Sequence, residues 1–342
     1  MRSISRRDFL KLGGLAIGGL AFTNFSPQTA ELDGVDLVRV AYHSVSVYSQ
    51  PSDQADIVHS WVRDDLVHVY ETVEADAPQY NPIWYRVFGG YMHRGRLQKV
   101  RLHYNNPVGS LSRRRSLAEV TVPYTQPYRY NQWNGWFPVF RMYSSSLHWI
   151  TAIDTGPDGR AWYRILDEAD KNIEYFVPAA HLRLVADDEY STLSPQLPVE
   201  GKRIDVDLKV QTLVCYEGEQ DVHRADISSG LFGLYPTPIG RFNIMVKLPA
   251  RDMTGSERFA SDEENTLSGV PWCSFFTSAG HAFHGTFWHD NFGLPMSHGC
   301  INMRNEDARW LFRWSRPHAG GAEIDQNTLD VRGYGTIVDI HY

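Results

Sequence analysis

Short runs of alternating hydrophobic and polar residues follow one another along most of the chain. Clear examples are residues 204–214 and 240–246, where apolar positions recur at every second residue. A repeat of two places successive side chains on opposite faces of a strand, so such runs predict half-buried β-strands. Glycine, proline, aspartate and asparagine separate the runs and predict turns. The chain is therefore predicted to be mainly β.

Two stretches depart from this alternation. Residues 249–269 are polar and irregular, which predicts a mobile flap. Nearer the C-terminus, Asn305 is a good helix N-cap, and acidic residues follow it in the first turn, where the helix dipole favours them. Ala308 and Leu311 then begin an apolar face at helical spacing. A short helix packed on a sheet is predicted there.

Two copies of one small unit are predicted before residue 200, at residues 36–104 and 115–188. Each copy carries a Trp-Tyr-Arg run followed by a terminal Leu-x-x-Val: Trp84-Tyr85-Arg86 with Leu97–Val100, and Trp162-Tyr163-Arg164 with Leu182–Val185. Short strands in a unit of this size favour a small closed β-barrel, because closure removes exposed strand edges. The last region, residues 202–342, is predicted to be a separate domain.

Composition and charge narrow the class of protein. The chain has 342 residues, a net charge of −7 and 42% hydrophobic residues, with 10 Trp and 18 Tyr. This is an ordinary globular composition, and the length suggests two or three domains. No overall basic excess points to nucleic acid as a partner.

The N-terminus has the pattern of an export signal. Arg6 and Arg7 precede an apolar, glycine-rich run, Leu12–Phe22, which is short for a membrane-spanning helix. Paired arginines before such a core predict a bacterial twin-arginine signal over residues 1–30. The protein is therefore expected in the periplasm or cell wall, with membrane contact only through this segment if it is not cleaved. An amphipathic anchor is the alternative.

Export implies an oxidising compartment, in which the three cysteines need an explanation. They are Cys215, Cys273 and Cys300. A nucleophile at Cys300 must stay reduced, which leaves Cys215 and Cys273 either as a disulfide or as two buried free thiols.

The chemistry of the chain is concentrated between residues 282 and 304. Cys300 lies in a Ser-His-Gly-Cys sequence at a predicted tight bend, and His284, His289 and His298 are near it in sequence. A thiol with imidazoles nearby provides a nucleophile and its base. From spacing alone, any of the three histidines could be that base. Gly299 would let main-chain N–H groups at residues 298–300 converge on a developing oxyanion.

This pattern resembles the catalytic motif of the L,D-transpeptidases of the YkuD type. The motif consists of His284-Gly285, a spacer, and Ser297-His298-Gly299-Cys300-Ile301-Asn302. Residues 235–242 resemble the family's Thr-Pro-x-Gly-x-Phe turn, and residues 335–340 resemble its closing strand. The resemblance covers residues 202–342. The two N-terminal repeats resemble bacterial Src-homology-3-type domains.

The resemblance implies a β-sandwich with a short helix after the catalytic cysteine, and it assigns roles to residues. Cys300 would be the nucleophile and His284 its base, with the Gly285 carbonyl orienting the imidazole. Gly299 and His298 would complete the catalytic set by shaping the oxyanion site and the pocket. Ser297 and Asn302 would hold the loop or contact the substrate, and Trp288, His289 and Arg304 would line the substrate cleft.

The implied activity is that of an exported cysteine L,D-transpeptidase without a cofactor, acting on peptidoglycan stem peptides and inhibited covalently by carbapenems. It would cleave the bond before the terminal D-Ala of a tetrapeptide and pass the acyl group to an amine of a neighbouring stem. Three alternatives stay open. They are an L,D-carboxypeptidase in which water resolves the same acyl-enzyme, a zinc amidase with His284, His298 and Cys300 as ligands, and a non-catalytic wall-binding protein.

Overall fold

The computed structural model describes residues 36–167, 172–254, 266–325 and 327–342. The predicted export signal, residues 1–30, lies outside the described residues. Within the described ranges the protein is mainly β, as predicted, with 27 strands and one α-helix. No helix in these ranges is long and apolar enough to cross a membrane.

The first region holds two sheets around one core. Its strands are β1 Leu37–Val40, β2 Ser44–Tyr48, β3 Ile57–Val62, β4 Leu66–His68, β5 Glu71–Glu74, β6 Ile83–Val87, β7 Gly90–His93 and β8 Leu97–Val100, with a 3₁₀-helix at Arg94–Arg96. The sheet orders are β4-β1-β8 and β3-β2-β7-β6-β5. Val38 from one sheet, and Val47 and Met92 from the other, are fully buried in the shared core.

The second region is built around a seven-stranded sheet. Its strands are β9 Ser116–Val120, β10 Tyr124–Thr125, β11 Tyr128–Asn131, β12 Gly135–Pro138, β13 Met142–Tyr143, β14 Leu147–Thr155, β15 Ala161–Leu166, β16 Glu174–Pro178 and β17 Leu182–Leu184, with 3₁₀-helices at Ala179–His181 and Asp187–Tyr190. The order is β12-β11-β16-β15-β14-β9-β17, beside a small β10-β13 pair. Its core has Val120, Ile150 and Val177 at its centre.

The two regions share an order of elements at their C-terminal ends. In each, a Trp-Tyr-Arg strand (β6 or β15) pairs with the next strand, and a 3₁₀-helix leads into a last strand. That last strand, β8 or β17, pairs antiparallel with the first strand of its region, β1 or β9. The sequence repeat therefore corresponds to a repeated pattern of strand pairing.

Neither region forms the closed barrel that was expected. Among the described residues no sheet closes on itself, because the seven-stranded sheet ends at β12 and β17 and the first region keeps two separate sheets. The two sheets of the first region are joined through their common apolar core and not through a continuous hydrogen-bonded ladder. The resemblance of these regions to Src-homology-3-type domains stays a prediction.

The third region is a two-sheet sandwich, as the resemblance implied. After a 3₁₀-helix at Val199–Gly201, its strands are β18 Lys202–Asp207, β19 Thr212–Glu217, β20 Gln220–Asp226, β21 Gly240–Asn243, β22 Val246–Thr254, β23 Thr266–Phe275, β24 Ala282–Gly285, β25 Ile301–Met303, β26 Val331–Arg332 and β27 Ile337–His341, with the helix α1 at Asn305–Trp314. The sheet orders are β20-β19-β18-β27-β21 and β25-β24-β23-β22-β26.

One apolar core lies between these two sheets. Ile204 on β18 and Val338 on β27 face Phe283 on β24 and Met303 on β25, and α1 adds Leu311 and its neighbours on the same face. All of these side chains are buried, so each sheet and the helix depend on the others for removal of apolar surface from water. The core extends into the second region through buried residues of β9 and β14.

Three local predictions are corrected. The run 204–214 is two strands, because a turn at residues 208–211 with Gln211 at φ 56° separates β18 from β19. The described ends of the predicted flap continue strands β22 and β23, which pair antiparallel. Asn305 is the first helical residue of α1 and not its cap; its side chain lies against Gly285 instead.

Candidate active site

Two parallel strands place the predicted base next to the segment of the predicted nucleophile. Strands β24 and β25 run parallel, with Phe283 opposite Ile301 and His284 opposite Asn302. Phe283 and Ile301 point into the apolar core, so His284 and Asn302 point to the opposite face. Cys300 lies in the bend immediately before β25.

Cys300 lies half-buried at the start of β25. Its Sγ is 3.7 Å from the carbonyl oxygen of Gly280, in the turn before β24. By contrast, Cys215 and Cys273 are fully buried free thiols, which decides between the two states left open by the sequence. Burial raises the pKa of the Cys215 thiol well above its ordinary value. Of the three cysteines, Cys300 is the accessible one.

His284 is buried and held by its own neighbour. Its Nδ1 is 3.0 Å from the carbonyl oxygen of Gly285, which is the contact expected from the resemblance. A carbonyl oxygen only accepts, so Nδ1 carries the proton and Nε2 keeps its lone pair. Burial lowers the pKa of His284 to about 4, against a smaller opposing effect of the Gly285 carbonyl. The imidazole is therefore neutral at neutral pH and able to accept a proton.

The turn that presents Cys300 is fixed by Ser297. The Ser297 hydroxyl accepts the N–H of Gly299 at 3.1 Å and donates to the carbonyl of Cys300. Gly299 has a φ of 112°, which favours glycine. Since the Gly299 amide is already bonded to Ser297, it is not directed at an oxyanion as the sequence analysis expected; the role of Gly299 here is conformational.

A segment after β20 supports this turn from behind. Thr237 Oγ1 accepts the N–H of Gly230 at 2.9 Å and donates to the carbonyl of Gly299 at 3.0 Å. The ring of Tyr235 lies against that of His298, with centroids 4.1 Å apart. Thr237 and Tyr235 belong to the Thr-Pro-x-Gly-x-Phe turn, but sequence reasoning assigned no role to either. His298 is half-buried beside them.

A further histidine that the sequence analysis missed lies at this turn. The ring of His281 is so close to Gly299 that a Cβ added to the glycine would sit 2.8 Å from its Cδ2 atom. Its Nδ1 is 2.9 Å from Thr277 Oγ1, which holds the ring in place. His281 is only three residues before His284, and this closeness in sequence is the signal that could have marked it as a site residue.

Two of the predicted substrate-binding residues are corrected by their burial. His289 is 6% exposed and Asn302 is 1% exposed, and their side chains are in contact at 2.9 Å. Ser297, 3% exposed, is also internal. All three hold the loop, which was the other role allowed for Ser297 and Asn302, because no surface of theirs is available to a ligand.

The other two predicted residues lie nearer the surface. Trp288 is half-buried, with its ring 5.8 Å from that of His284, so it lies beside the base. Arg304 pairs with Asp226 at 3.4 Å and lies over the ring of Phe292 at 4.7 Å. These contacts hold the guanidinium beside Asp226 and Phe292, and no contact given for Arg304 among the described residues reaches Cys300.

The zinc alternative has no support in the arrangement of ligands. Within the described ranges, no group of three or more His, Cys, Asp or Glu side chains is placed to hold a metal ion. His284, His298 and Cys300, the three ligands considered, do not form such a group.

A family model matches the region that holds this arrangement. Residues 201–340 match the model of the YkuD family, described as the L,D-transpeptidase catalytic domain. The match covers less than half of the chain and includes Thr237, His284 and the Ser297–Cys300 turn. In a search of curated proteins, nothing matches the chain.

Solved L,D-transpeptidases are similar to part of the chain. One from Xylanimonas cellulosilytica is 23% identical over 41% of this chain and 60% of its own, with a TM-score of 0.30. One from Mycobacterium smegmatis is 16% identical over 53% and 90%, with a TM-score of 0.33. An LD transpeptidase in complex with imipenem is 15% identical over 72% and 90%, with a TM-score of 0.32.

Proposed function

We propose that the protein is an exported cysteine L,D-transpeptidase that crosslinks peptidoglycan stem peptides. The observation that carries the proposal is an accessible thiol, Cys300, immediately before β25 and next to β24, the strand that carries the buried neutral imidazole of His284. The match of residues 201–340 to the L,D-transpeptidase catalytic domain supports the reaction class.

The acylation step follows from the protonation state of His284. Its Nε2 takes the proton of the Cys300 thiol as sulfur attacks the carbonyl between the third residue of the stem and its terminal D-Ala. The C–N bond breaks, the same proton passes to the departing amine, and D-Ala leaves. A thioester on Cys300 remains.

The second half of the reaction regenerates the thiol. An amine of a neighbouring stem attacks the thioester and gives a proton to His284. His284 then passes this proton to the departing sulfur. An amide bond forms between the two stems as the C–S bond breaks. If water attacks instead, the product is the shortened peptide and the enzyme is an L,D-carboxypeptidase.

Intact-protein mass spectrometry tests the nucleophile. After exposure to a purified tetrapeptide stem, or to imipenem, we expect one covalent adduct, located on Cys300. The adduct is lost in Cys300→Ala and retained in Cys273→Ala, the matched removal of a thiol with no exposed surface. An adduct that persists in Cys300→Ala would mean that another group is acylated and would overturn the assignment.

The base is tested by the rate at which iodoacetamide alkylates Cys300. His284→Gln should slow alkylation strongly near neutral pH, whereas His43→Gln, at an exposed position of the first region, should leave it unchanged. An unaltered rate and pH profile in His284→Gln would show that a different histidine is the base.

Product analysis separates transfer from hydrolysis. Incubation of a tetrapeptide whose own amines are blocked, with and without an acceptor stem, should give a crosslinked dimer only when the acceptor is present. Tripeptide as the main product in both reactions would instead establish the carboxypeptidase. Retained binding to cell walls with no thiol reactivity would establish a non-catalytic binding protein.

Export is tested separately. We propose that Arg6 and Arg7 direct the chain through the twin-arginine pathway to the periplasm or cell wall, on the sequence pattern of residues 1–30. Fusion of this segment to a reporter should export it, and replacing both arginines by lysine should retain the reporter inside the cell. Export of the lysine variant would contradict the assignment.

A further inference from the structure

The segment that joins His284 to Cys300 is attached to the first region of the chain. This connecting segment, residues 286–296, contains Asp290, whose N–H donates to the carbonyl of Gly95 at 3.1 Å. The side-chain amide of Asn81 donates to the carbonyl of Asp290 and to Asn291 Oδ1, both at 2.9 Å. The first region thus contacts the one loop whose path sets the separation of nucleophile and base.

A second attachment lies further along the same interface. Arg39, on β1, donates to the carbonyl of Phe287 at 3.0 Å. The same guanidinium is paired with Asp64 at 2.9 Å and bonded to Gln98, both in the first region. Its position is therefore fixed before it reaches the connecting segment.

These bonds are removed from water. Asn81 and Arg39 are each 1% exposed, and Asn291 is 9% exposed. A buried polar group that loses its partner cannot replace it with solvent. The donors of Asn81 and the acceptors of the connecting segment therefore depend on each other for their hydrogen bonds.

The chain of hydrogen bonds continues to His289. The N–H of Asn291 donates to His289 Nδ1 at 3.2 Å, so Nδ1 is an acceptor. A neutral imidazole then carries its proton on Nε2, and burial lowers the pKa of His289 to about 3, which keeps it neutral. Nε2–H needs an acceptor, and the side chain it meets at 2.9 Å is the amide of Asn302.

The amide orientation of Asn302 follows from that proton. The structure places Asn302 Nδ2 2.9 Å from His289 Nε2, and since two donors cannot share a hydrogen bond we infer that the amide is reversed, with Oδ1 accepting from His289 Nε2–H. This orientation gives a donor to the amide oxygen, which otherwise lacks any hydrogen-bond partner among the described residues. The hydrogen bonds therefore run in one direction, from Asn81 through Asn291 and His289 to Asn302.

The last member of the series lies on the strand of the nucleophile. Asn302 follows Cys300 by two residues on β25 and is opposite His284 on β24. Its main chain is also bonded to Ser228 in both directions, at 2.9 Å each. A displacement of Asn302 therefore moves β25, which begins next to Cys300, relative to β24, which carries His284.

We propose that Asn81 of the first region is a positioning residue for Cys300, acting through Asn291, His289 and Asn302. The first region is then part of the catalytic apparatus and not a spacer. This inference rests on the proposed function, because it takes Cys300 as the reactive thiol. It concerns the alignment of that thiol and not the identity of the substrate.

The test uses the full chain and the rate of Cys300 alkylation by iodoacetamide. Asn81→Asp keeps the shape of the side chain and its acceptor for Arg94, but removes both donors to the connecting segment. We expect alkylation at neutral pH, and kcat on a tetrapeptide, to fall about tenfold. The KM stays near that of the wild type, because Asn81 is fully buried and touches no substrate.

The matched control is Asn105→Ala. Asn105 is a partly buried asparagine whose side chain bonds to Thr121 and to the carbonyl of Ala180, both in the second region. Removing the Asn105 side chain lowers stability but removes no contact of the connecting segment. The alkylation rate of the folded variant should therefore equal that of the wild type. Equal losses of rate in both variants would show a general effect of stability and would overturn the proposal.

A second variant covers the case in which Asn81→Asp does not fold. Arg94, with a side chain that is 21% exposed, donates from Nε to Asn81 Oδ1 at 2.7 Å and so orients the amide. Arg94→Ala should slow alkylation by about threefold and lower the midpoint of thermal unfolding slightly, because it removes the donor to Asn81 Oδ1 and the Arg94–Asp290 ion pair. A wild-type alkylation rate in either folded variant would overturn the proposal.

A double replacement tests the series itself. Asn81→Asp and Asn302→Ala should together slow alkylation no more than the stronger single variant, because both interrupt the same series of bonds. Additive losses would mean that the two residues act independently and would overturn the route through His289. If the tetrapeptide fails to acylate Cys300 while alkylation still depends on Asn81, the proposed function falls and this inference stands.

Discussion

Gly299 shows how a single residue governs the site. Its φ of 112° is costly for a residue with a side chain, and the space where a Cβ would sit is already filled by His281. Its carbonyl accepts from Thr237 and its amide donates to Ser297, so both of these main-chain bonds hold the turn. The residue next to Cys300 is thus fixed by conformation, by packing and by hydrogen bonds together.

Gly299→Ala is expected to inactivate the protein. The Cβ would approach the His281 ring to 2.8 Å, and the positive φ adds strain of about 1–2 kcal/mol. Relief requires the turn to move, which displaces Cys300. Thiol alkylation and acyl-enzyme formation should both fall by about a hundredfold, since small misplacements of reacting groups have effects of this size.

Gly218→Ala is the matched control for this variant. Gly218 also has a positive φ, of 60°, but nothing lies within 4 Å of the position of a Cβ. It should show a modest loss of stability with normal alkylation. If Gly299→Ala retains alkylation at the wild-type rate, the packing of this turn does not control the thiol.

At the residue scale, the sequence predicted candidate chemistry but not burial. The Ser-His-Gly-Cys motif pointed to Cys300, whereas spacing left three histidines open and only the family resemblance favoured His284. His289 and Asn302 have the same polar character, yet they are internal and bonded to each other. Whether a polar side chain faces a cleft or a buried partner depends on distant segments such as the one containing Asn81, which local sequence does not reveal.

Among the elements, α1 is anchored by two buried lysines at its C-terminus. Lys247 on β22 donates to the carbonyls of Ser315 at 2.8 Å and Pro317 at 2.9 Å, and to that of Phe312. Lys202 on β18 donates to the carbonyl of Trp314 at 2.7 Å. Cations at this end complement the helix dipole and satisfy carbonyls that the helix leaves unbonded. Each lysine comes from a different sheet, so the helix end is tied to both.

Lys247→Met is expected to lower the free energy of unfolding by about 3 kcal/mol. Burial lowers the pKa of Lys247 well below its ordinary value, and removing the charge removes that unfavourable desolvation. However, three buried carbonyls then lose their donor, and this loss is the larger effect. The measurement is urea unfolding at neutral pH.

Lys99→Met is the control for the lysine variant. Lys99 has a side chain that is 57% exposed and lies 3.5 Å from Asp36. An exposed pair of this kind contributes little, so the change should stay within about 0.5 kcal/mol. Equal stability of Lys247→Met and the wild type would mean that the three carbonyls are satisfied in another way.

Secondary structure was predictable where the hydrophobic period was regular. The strands of the sandwich and the helix after Cys300 follow that period, and both were found. The predicted long strand over residues 204–214 is broken because Gln211 takes a positive φ and donates to the carbonyl of Leu208, which periodicity does not record. Asn305 does not cap α1, because its side chain packs against Gly285 from another strand.

For the whole molecule, the contacts between regions were the least predictable feature. The apolar core of the third region takes in Leu117, Leu147 and Trp149 of the second region, and the first region holds the connecting segment. No local pattern in the sequence marks these residues as interface, because each also fits the interior of its own strand. The three regions together therefore form the environment in which several histidines are buried.

This burial should make the protein labile to acid. Burial lowers the pKa of His148 and His289 to about 3, and that of His181 and His284 to about 4. Below pH 6.5 the unfolded chain protonates these imidazoles while the folded protein does not, so the unfolded state binds more protons. Stability is then lost as the pH falls from 6.5 toward 4. The pKa of exposed His341, which is raised by its hydrogen bond to half-buried Asp205, opposes this effect.

The effect is measured by urea unfolding at intervals between pH 7 and pH 5, and His148→Gln isolates one contribution. His148 is fully enclosed, with Nε2 2.8 Å from Ser146 Oγ, and glutamine can keep a hydrogen bond there without titrating. The variant should lose stability with falling pH less steeply than the wild type, by up to about 1.4 kcal/mol per pH unit. Gln126→Ala, which removes a bond to the carbonyl of Phe140 but no titrating group, should lower stability equally at every pH. An unchanged slope in His148→Gln would show that His148 gains its proton in the folded protein as readily as in the unfolded chain.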